Sequence, residues 1–227
     1  MHIEILVEDS SGQTLLDILV PKILGALGSP HTWRFHKYKG IGRIPANLNK
    51  TKDPRKRILL EQLPRVLRGY SKTPGIDAVL VVVDNDDRNC VDFLKELKAV
   101  ASSCGRPDTL FRLAIEEMEA WYFGDYAALK AAYPRAKQRE IDKYTQDSAC
   151  GTWELLADAV HEGGAAALKK AGWPLPGQVK HEWARQIAPY MKIKNNVSPS
   201  FNKFCNGLSR IANITNSPED NVNSCGR

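Results

Sequence analysis

An α/β fold built on a parallel sheet is what this sequence predicts, and three observations predict it. Residues 78–83 (Ala-Val-Leu-Val-Val-Val) are apolar throughout instead of alternating, as in a strand buried on both faces of a parallel sheet. Strand-like runs at 3–7 and 109–115 lie on either side of it in the sequence, with segments of helical periodicity between them. After about residue 130 the strand signals fade and short helical patterns separated by Gly and Pro take over. The expected organisation is an α/β core over 1–130, a helical cap over 131–214 and a flexible polar tail over 215–227.

The elements follow in order. Residues 3–7 (Ile-Glu-Ile-Leu-Val) form a short strand that turns at Glu8-Asp9 into a helix, with Ser10 and Gln13 at the spacing of a capping box. Leu15, Leu16, Ile18, Leu19, Ile23, Leu24 and Leu27 make the buried stripe of that helix, and Gly25, Gly28 and Pro30 mark its end. Residues 31–38 alternate aromatic and polar side chains, which predicts a second strand near a sheet edge. A glycine-rich turn, Lys39-Gly40-Ile41-Gly42-Arg43, leads to a helix over 55–70 carrying Ile58, Leu59, Leu63, Val66 and Leu67. The central strand ends in Asp84-Asn85-Asp86-Asp87, where Asp87 is the expected cap of a helix over 91–100, and the strand at 109–115 runs into Glu116-Glu117-Met118-Glu119-Ala120-Trp121. Helices are expected at 153–160, 165–171, 182–191 and 201–211. Strands alternating with helices imply right-handed crossovers, with ligands beyond the carboxyl ends of the strands.

Composition narrows the function classes. The chain has 227 residues, 43% of them hydrophobic, enough for one domain or one domain with a helical appendage. The five cysteines form no CxxC pair, which argues against a structural zinc site or a disulfide scaffold and fits a reducing compartment. The first residues are too acidic for a signal peptide, and no apolar run approaches the roughly 20 residues of a membrane span, so the expected location is cytoplasmic. A formal charge of +6 favours a polyanionic partner, and Lys37, Lys39, Arg43, Lys50, Lys52, Arg55, Lys56 and Arg57 are opposed in their segment only by Asp53. That segment is either a track for a phosphate backbone or a solvated loop.

Three acidic groups fall on one rim of the predicted sheet: Glu8 after the first strand, Asp84 with Asp86 after the central strand, and Glu116 to Glu119 after the last. Crowded carboxylates repel one another and favour a neutralising cation, and Mg²⁺ with its preference for hard oxygen ligands meets that need. Asp84 and Asp86 share one side if extended geometry persists through Asn85, and Glu116 and Glu119 share a helix face while Glu117 points elsewhere. Against this stands the simpler role of such residues as helix caps and dipole partners.

The pattern of Glu8 after one strand and the pair Asp84 and Asp86 after a later one resembles the Toprim core of topoisomerases, primases and OLD-type nucleases. The runs Leu6-Val7-Glu8-Asp9-Ser10-Ser11-Gly12, Lys39-Gly40-Ile41-Gly42-Arg43-Ile44-Pro45, Val83-Asp84-Asn85-Asp86-Asp87-Arg88, Ile115-Glu116-Glu117-Met118-Glu119-Ala120-Trp121 and Ser198-Pro199-Ser200-Phe201 are similar to an uncharacterised bacterial Toprim-like family of unknown function. One departure is Asp9, where the Toprim pattern usually has glycine. The resemblance implies a Toprim-like Rossmannoid sheet with a C-terminal helical cap. It implies acid–base and metal-holding roles for Glu8 and Mg²⁺ (or Mn²⁺) coordination by Asp84 and Asp86, with Glu116 and Glu119 as candidates for a second metal. It also implies a companion ATPase of the ABC or AAA kind in phage-defence loci.

The expected function is therefore a metal-dependent nuclease with Glu8, Asp84 and Asp86 at its centre and Lys39, Arg43 and Arg88 on the phosphates of DNA or RNA. The alternative is a non-catalytic partner or sensor module of an ATPase-containing defence complex, with Trp153, Trp173 and Trp183 as candidate contact residues.

Overall fold

The computed structural model describes residues 1–28, 30–50, 52–147 and 151–213. The strands β1 (His2–Val7), β2 (Thr32–Lys37), β3 (Ala78–Asp84) and β4 (Leu110–Ala114) form one parallel sheet in the order β2-β1-β3-β4. Val7 lies opposite both Lys37 and Val82, and Asp84 lies opposite Ala114, so the carboxyl ends of the four strands form a common rim. The aromatic-polar segment is the edge strand β2, and the apolar run is the interior strand β3, as their patterns require. The predicted tail at 215–227 lies outside the described residues.

Helices α1 (Ser10–Leu24), α2 (Leu59–Tyr70) and α3 (Cys90–Ser103) make the crossovers. Side chains alternate across β1 and β3, so Ile3, Ile5, Val7, Leu80 and Val82 pack with α1, whereas Leu6, Val79, Val81 and Val83 pack with α2 and α3. α1 is capped by Asp9, whose carboxylate accepts the Gly12 N–H at 2.7 Å, and not by the Ser10–Gln13 box. It ends at Leu24 with Gly25 as C-cap, which leaves Leu27 outside the buried stripe and exposed. α3 is capped by Asn89, which accepts the N–H groups of Val91 and Asp92, and not by Asp87.

Among the described residues after β4 the regular elements are helices: α4 (Ala120–Phe123), α5 (Tyr126–Ala132), α6 (Gln138–Ile141), α7 (Thr152–Val160), α8 (Gly164–Ala171), α9 (Leu175–Ile187) and α10 (Pro199–Ile211). α9 begins well before the expected 182, because Pro176 is tolerated in the first turn, where its missing N–H is no loss. These helices cover the α1 side of the sheet and share its core. Trp121, Trp183, Phe201 and Phe204 are buried with Ile3 and Ile5, and α9 and α10 pack on α1. The Ser198-Pro199-Ser200-Phe201 run is structural: Ser198 caps α10 through the Phe201 N–H, and Ser200 Oγ accepts the indole N–H of buried Trp121 at 3.0 Å. Cys104 and Cys205 are free and buried, while Cys90 is disulfide-bonded, which the spacing of the cysteines did not indicate. Among the described residues no helix is long and apolar enough to cross a membrane.

Candidate functional site

The strand order fixes where a ligand belongs. The chain leaves β1 for β2 on one side and returns to β3 on the other, so its direction reverses between β1 and β3, where open parallel sheets leave a crevice beyond their carboxyl ends. Glu8 and Asp84 stand at that point. The Glu8 carboxylate accepts the backbone N–H of Asp84 at 3.2 Å, and the Glu8 carbonyl accepts the N–H of Gly40 at 3.0 Å. The basic loop after β2 is thereby fastened beside the acidic rim, with Lys39 and Arg43 exposed on it. Gly42, at φ 68°, allows this loop to close on α2, because a Cβ there would stand 2.0 Å from the Ile58 side chain.

Asp84 is only partly buried as a residue, yet its Oδ1 is sealed from solvent and has no hydrogen-bond partner. Burial raises its pKa well above the usual carboxylate range, and Glu8 and Glu119 add to that, with Lys180 opposing. Burial likewise pushes Glu8 up to about 7, against the pull of the Asp84 amide and with the support of Asp86 and Asp9. Both residues thus carry the electrostatic signature of an under-compensated acidic site.

Around them the structure rearranges the predicted donors. Glu116 adopts φ 59°, so the helical spacing assumed for Glu116 and Glu119 does not begin until α4. The Glu116 carboxylate turns away to accept from the N–H groups of Gly151 and Thr152 at the start of α7. Glu117 occupies the place expected of Glu116. Its carboxylate and that of buried Glu119 each lie 3.3 Å from Lys180 Nζ, and Glu117 also accepts the Trp153 N–H. Burial, helped by Glu119, pushes the Glu117 carboxyl up to about 8. Asp86 sits at φ 49°, which breaks the extended geometry that would have aligned it with Asp84, and its carboxylate pairs with Arg88 at 2.6 Å. Arg88 in turn covers the Phe93 ring at 4.9 Å.

Lys180, on α9, is the group that sequence reasoning missed. Burial works against its charge, but Glu119, Glu117, Asp84 and Asp9 outweigh this and hold the ammonium above its ordinary range. With Asp9, Gly12, Asp84, Glu119 and Tyr122 it lines a small cavity between α1 and the turn after β4. Gly12 keeps that cavity open: a Cβ there would lie 2.8 Å from Met118 Sδ and 2.9 Å from Val7 Cγ2. The neighbouring His181 bridges Ser10 Oγ (2.9 Å) and Thr14 Oγ1 (2.8 Å), tying α9 to the first turn of α1. Of the three tryptophans considered as contacts, Trp183 is buried, Trp153 lies under Lys169 and Lys180, and Trp173 is exposed.

A hard cation suits this donor set. The oxygens are carboxylates, Asp84 Oδ1 is buried without a partner, and Glu119, Glu117, Asp84 and Asp9 all act on the one half-buried Lys180, with Glu8 beside Asp84. Among the described residues, no three His, Cys, Asp or Glu side chains converge on one ready-made coordination sphere.

A family model described as a domain of unknown function (DUF4276) matches residues 7–209, so the chain belongs to that family. No curated protein and no solved structure matches it.

Proposed function

We propose that this chain is a metal-dependent phosphodiesterase acting on nucleic acid, with its centre at Glu8 and Asp84. The observation that carries the reading is the buried, unpartnered Asp84 Oδ1 next to Glu8 at the point where the strand order reverses. Asp84 and Glu8 would hold a Mg²⁺ or Mn²⁺ ion, with Glu119 and Glu117 reaching it when Lys180 yields. A bound divalent ion supplies charge neutralisation at the phosphate and a water of lowered pKa. Glu8, beside that ion, would orient the water or take its proton. Lys39 and Arg43 on the adjacent loop would contact phosphates, and Arg88 would do so on release from Asp86. The likeness of these motifs to the Toprim and OLD-type nucleases supports the same reading, including a companion ATPase in a defence system.

A second reading, a non-catalytic partner or sensor module, is favoured by Lys180, which already serves the carboxylates as a built-in counter-cation. Incubation with supercoiled, linear and single-stranded substrates in Mg²⁺ or Mn²⁺ separates the two. The nuclease reading expects cleavage that falls by at least about 10²-fold in Asp84→Asn and in Glu8→Gln. Absence of cleavage, or cleavage that survives both substitutions, overturns it.

A further inference from the structure

On the α2 side of the sheet, between edge strand β2 and α2, lies an open cleft of about 540 Å³ that shares no residue with the cavity at Asp84. Its wall carries three basic side chains, His36 from β2, Arg57 from the turn before α2 and Arg65 from α2, and, among the described residues, no acidic one; Lys37 contributes its backbone there, because its side chain lies with Val7 on the α1 side of the sheet. Tyr38 and Tyr70 contribute aromatic surface to the same wall.

Several contacts fix these groups in place. Arg57 is a non-glycine residue at φ 53°, held there because its carbonyl accepts the Lys39 N–H at 2.8 Å while its guanidinium donates to the Lys37 carbonyl. His36 is anchored from behind by fully buried Glu4, whose carboxylate also accepts from Arg34 at 2.6 Å and from the Tyr70 hydroxyl at 3.4 Å. Burial raises the Tyr38 phenol while Arg65 and Arg57 pull it down, so both guanidinium groups act on this one ring. The cleft is thus a positive, partly aromatic pocket whose nearest buried acid is already occupied with its own cations.

Guanidinium groups match the paired oxygens of a phosphate, and tyrosine faces stack on bases without regard to sequence. The volume falls within the roughly 300–1,000 Å³ typical of small-molecule sites. The geometry points to this cleft as a binding site for a nucleotide unit, its phosphate on Arg57 and Arg65 and its base against Tyr38 and Tyr70. The unit is either a free mononucleotide or one residue of a single strand. This inference needs no metal and stands or falls separately from catalysis at Glu8 and Asp84.

The test is fluorescence anisotropy of a labelled single-stranded oligonucleotide with the full chain in EDTA, alongside direct titration and competition by a mononucleotide and by inorganic phosphate. Arg65→Glu and Arg57→Asn are expected to weaken binding by about tenfold or more with the melting temperature unchanged. Lys98→Glu, the same charge change on an exposed position of α3 outside the cleft, is expected to leave binding within about twofold. A mononucleotide that binds as tightly as the oligonucleotide identifies a free-nucleotide site, and tighter oligonucleotide binding identifies a strand site; either supports the assignment. Failure of both to bind, equal losses in Arg65→Glu and Lys98→Glu, or competition by inorganic phosphate as strong as by the mononucleotide would overturn it.

Discussion

Glu4 and Glu8 stand four residues apart, one within β1 and one at its carboxyl end, and the molecule treats them in opposite ways. Glu4 is fully buried on the α2 side, yet it is surrounded by Arg34 at 2.6 Å, by His36 and by His2 at 3.2 Å. Burial alone would raise its carboxyl, but those hydrogen bonds, led by Arg34, bring it down to about 2. Glu8 has one backbone N–H and a set of acidic neighbours, and its carboxyl rises to about 7. A buried carboxylate that is fully compensated is part of the scaffold, whereas Glu8 is left under-compensated beside an unpartnered Asp84 oxygen, the feature on which the proposed metal site rests.

The sharpest way to break this comparison is to neutralise one carboxyl from each group. Asp84→Asn should lower metal-dependent hydrolysis by about 10²-fold or more, on the order of 3 kcal/mol, while the metal-free melting temperature holds or rises because repulsion with Glu8 and Glu119 is relieved. Glu4→Gln should do the reverse, leaving hydrolysis largely intact and lowering stability by roughly 2 kcal/mol, because Arg34 and His36 would then meet a neutral amide with one accepting oxygen in place of a carboxylate with two. Chemical denaturation of both variants, read with a cleavage assay, checks the pair. A loss of stability in Asp84→Asn as large as in Glu4→Gln would erase the distinction.

Lys180→Met probes the counter-cation. Removing the ammonium that pairs with Glu117 and Glu119 should tighten Mn²⁺ binding by about tenfold, or ~1.4 kcal/mol, and lower the metal-free melting temperature. Calorimetric titration reads the first effect and a thermal scan the second.

Titration offers the mildest test. For Glu8 and Glu117 the folded carboxyls, near 7 and 8, lie above the ordinary 4.5, so the folded state holds protons that the unfolded chain has released. Their contribution to stability is fully present below about 4.5 and is lost as pH rises through 7 and 8. Glu4 has the opposite sign: its contribution is present above about 4.5 and is lost as pH falls through the folded value near 2. Metal-free melting temperatures should therefore decline gently from pH 5 to 8, and saturating Mg²⁺ should flatten that decline in wild type but not in Asp84→Asn.

The fold was legible because each strand advertises its burial: residues 78–83 have no polar face and lie inside the sheet, while the aromatic-polar alternation of 31–38 belongs to its edge. Glu8 and Asp84 were legible for the same reason, since a residue that ends a parallel strand is delivered to the rim whatever the loops do. The donors after β4 were not. Glu116 enters the left-handed region at φ 59°, and that single torsion exchanges the roles of Glu116 and Glu117. Asp86 was displaced in the same manner at φ 49°. Lys180 was hidden by distance along the chain, yet a signal existed: it sits between Val179 and Trp183 on the apolar side of α9, where a lysine needs a buried partner.

Mn²⁺ binding to the purified chain, followed by the paramagnetic resonance signal of the free ion, bears most directly on the central claim. The account predicts saturable uptake by wild type and by Glu4→Gln, and its loss in Asp84→Asn and Glu8→Gln. Uptake that is absent from wild type, or that persists undiminished without Asp84 and Glu8, would contradict it.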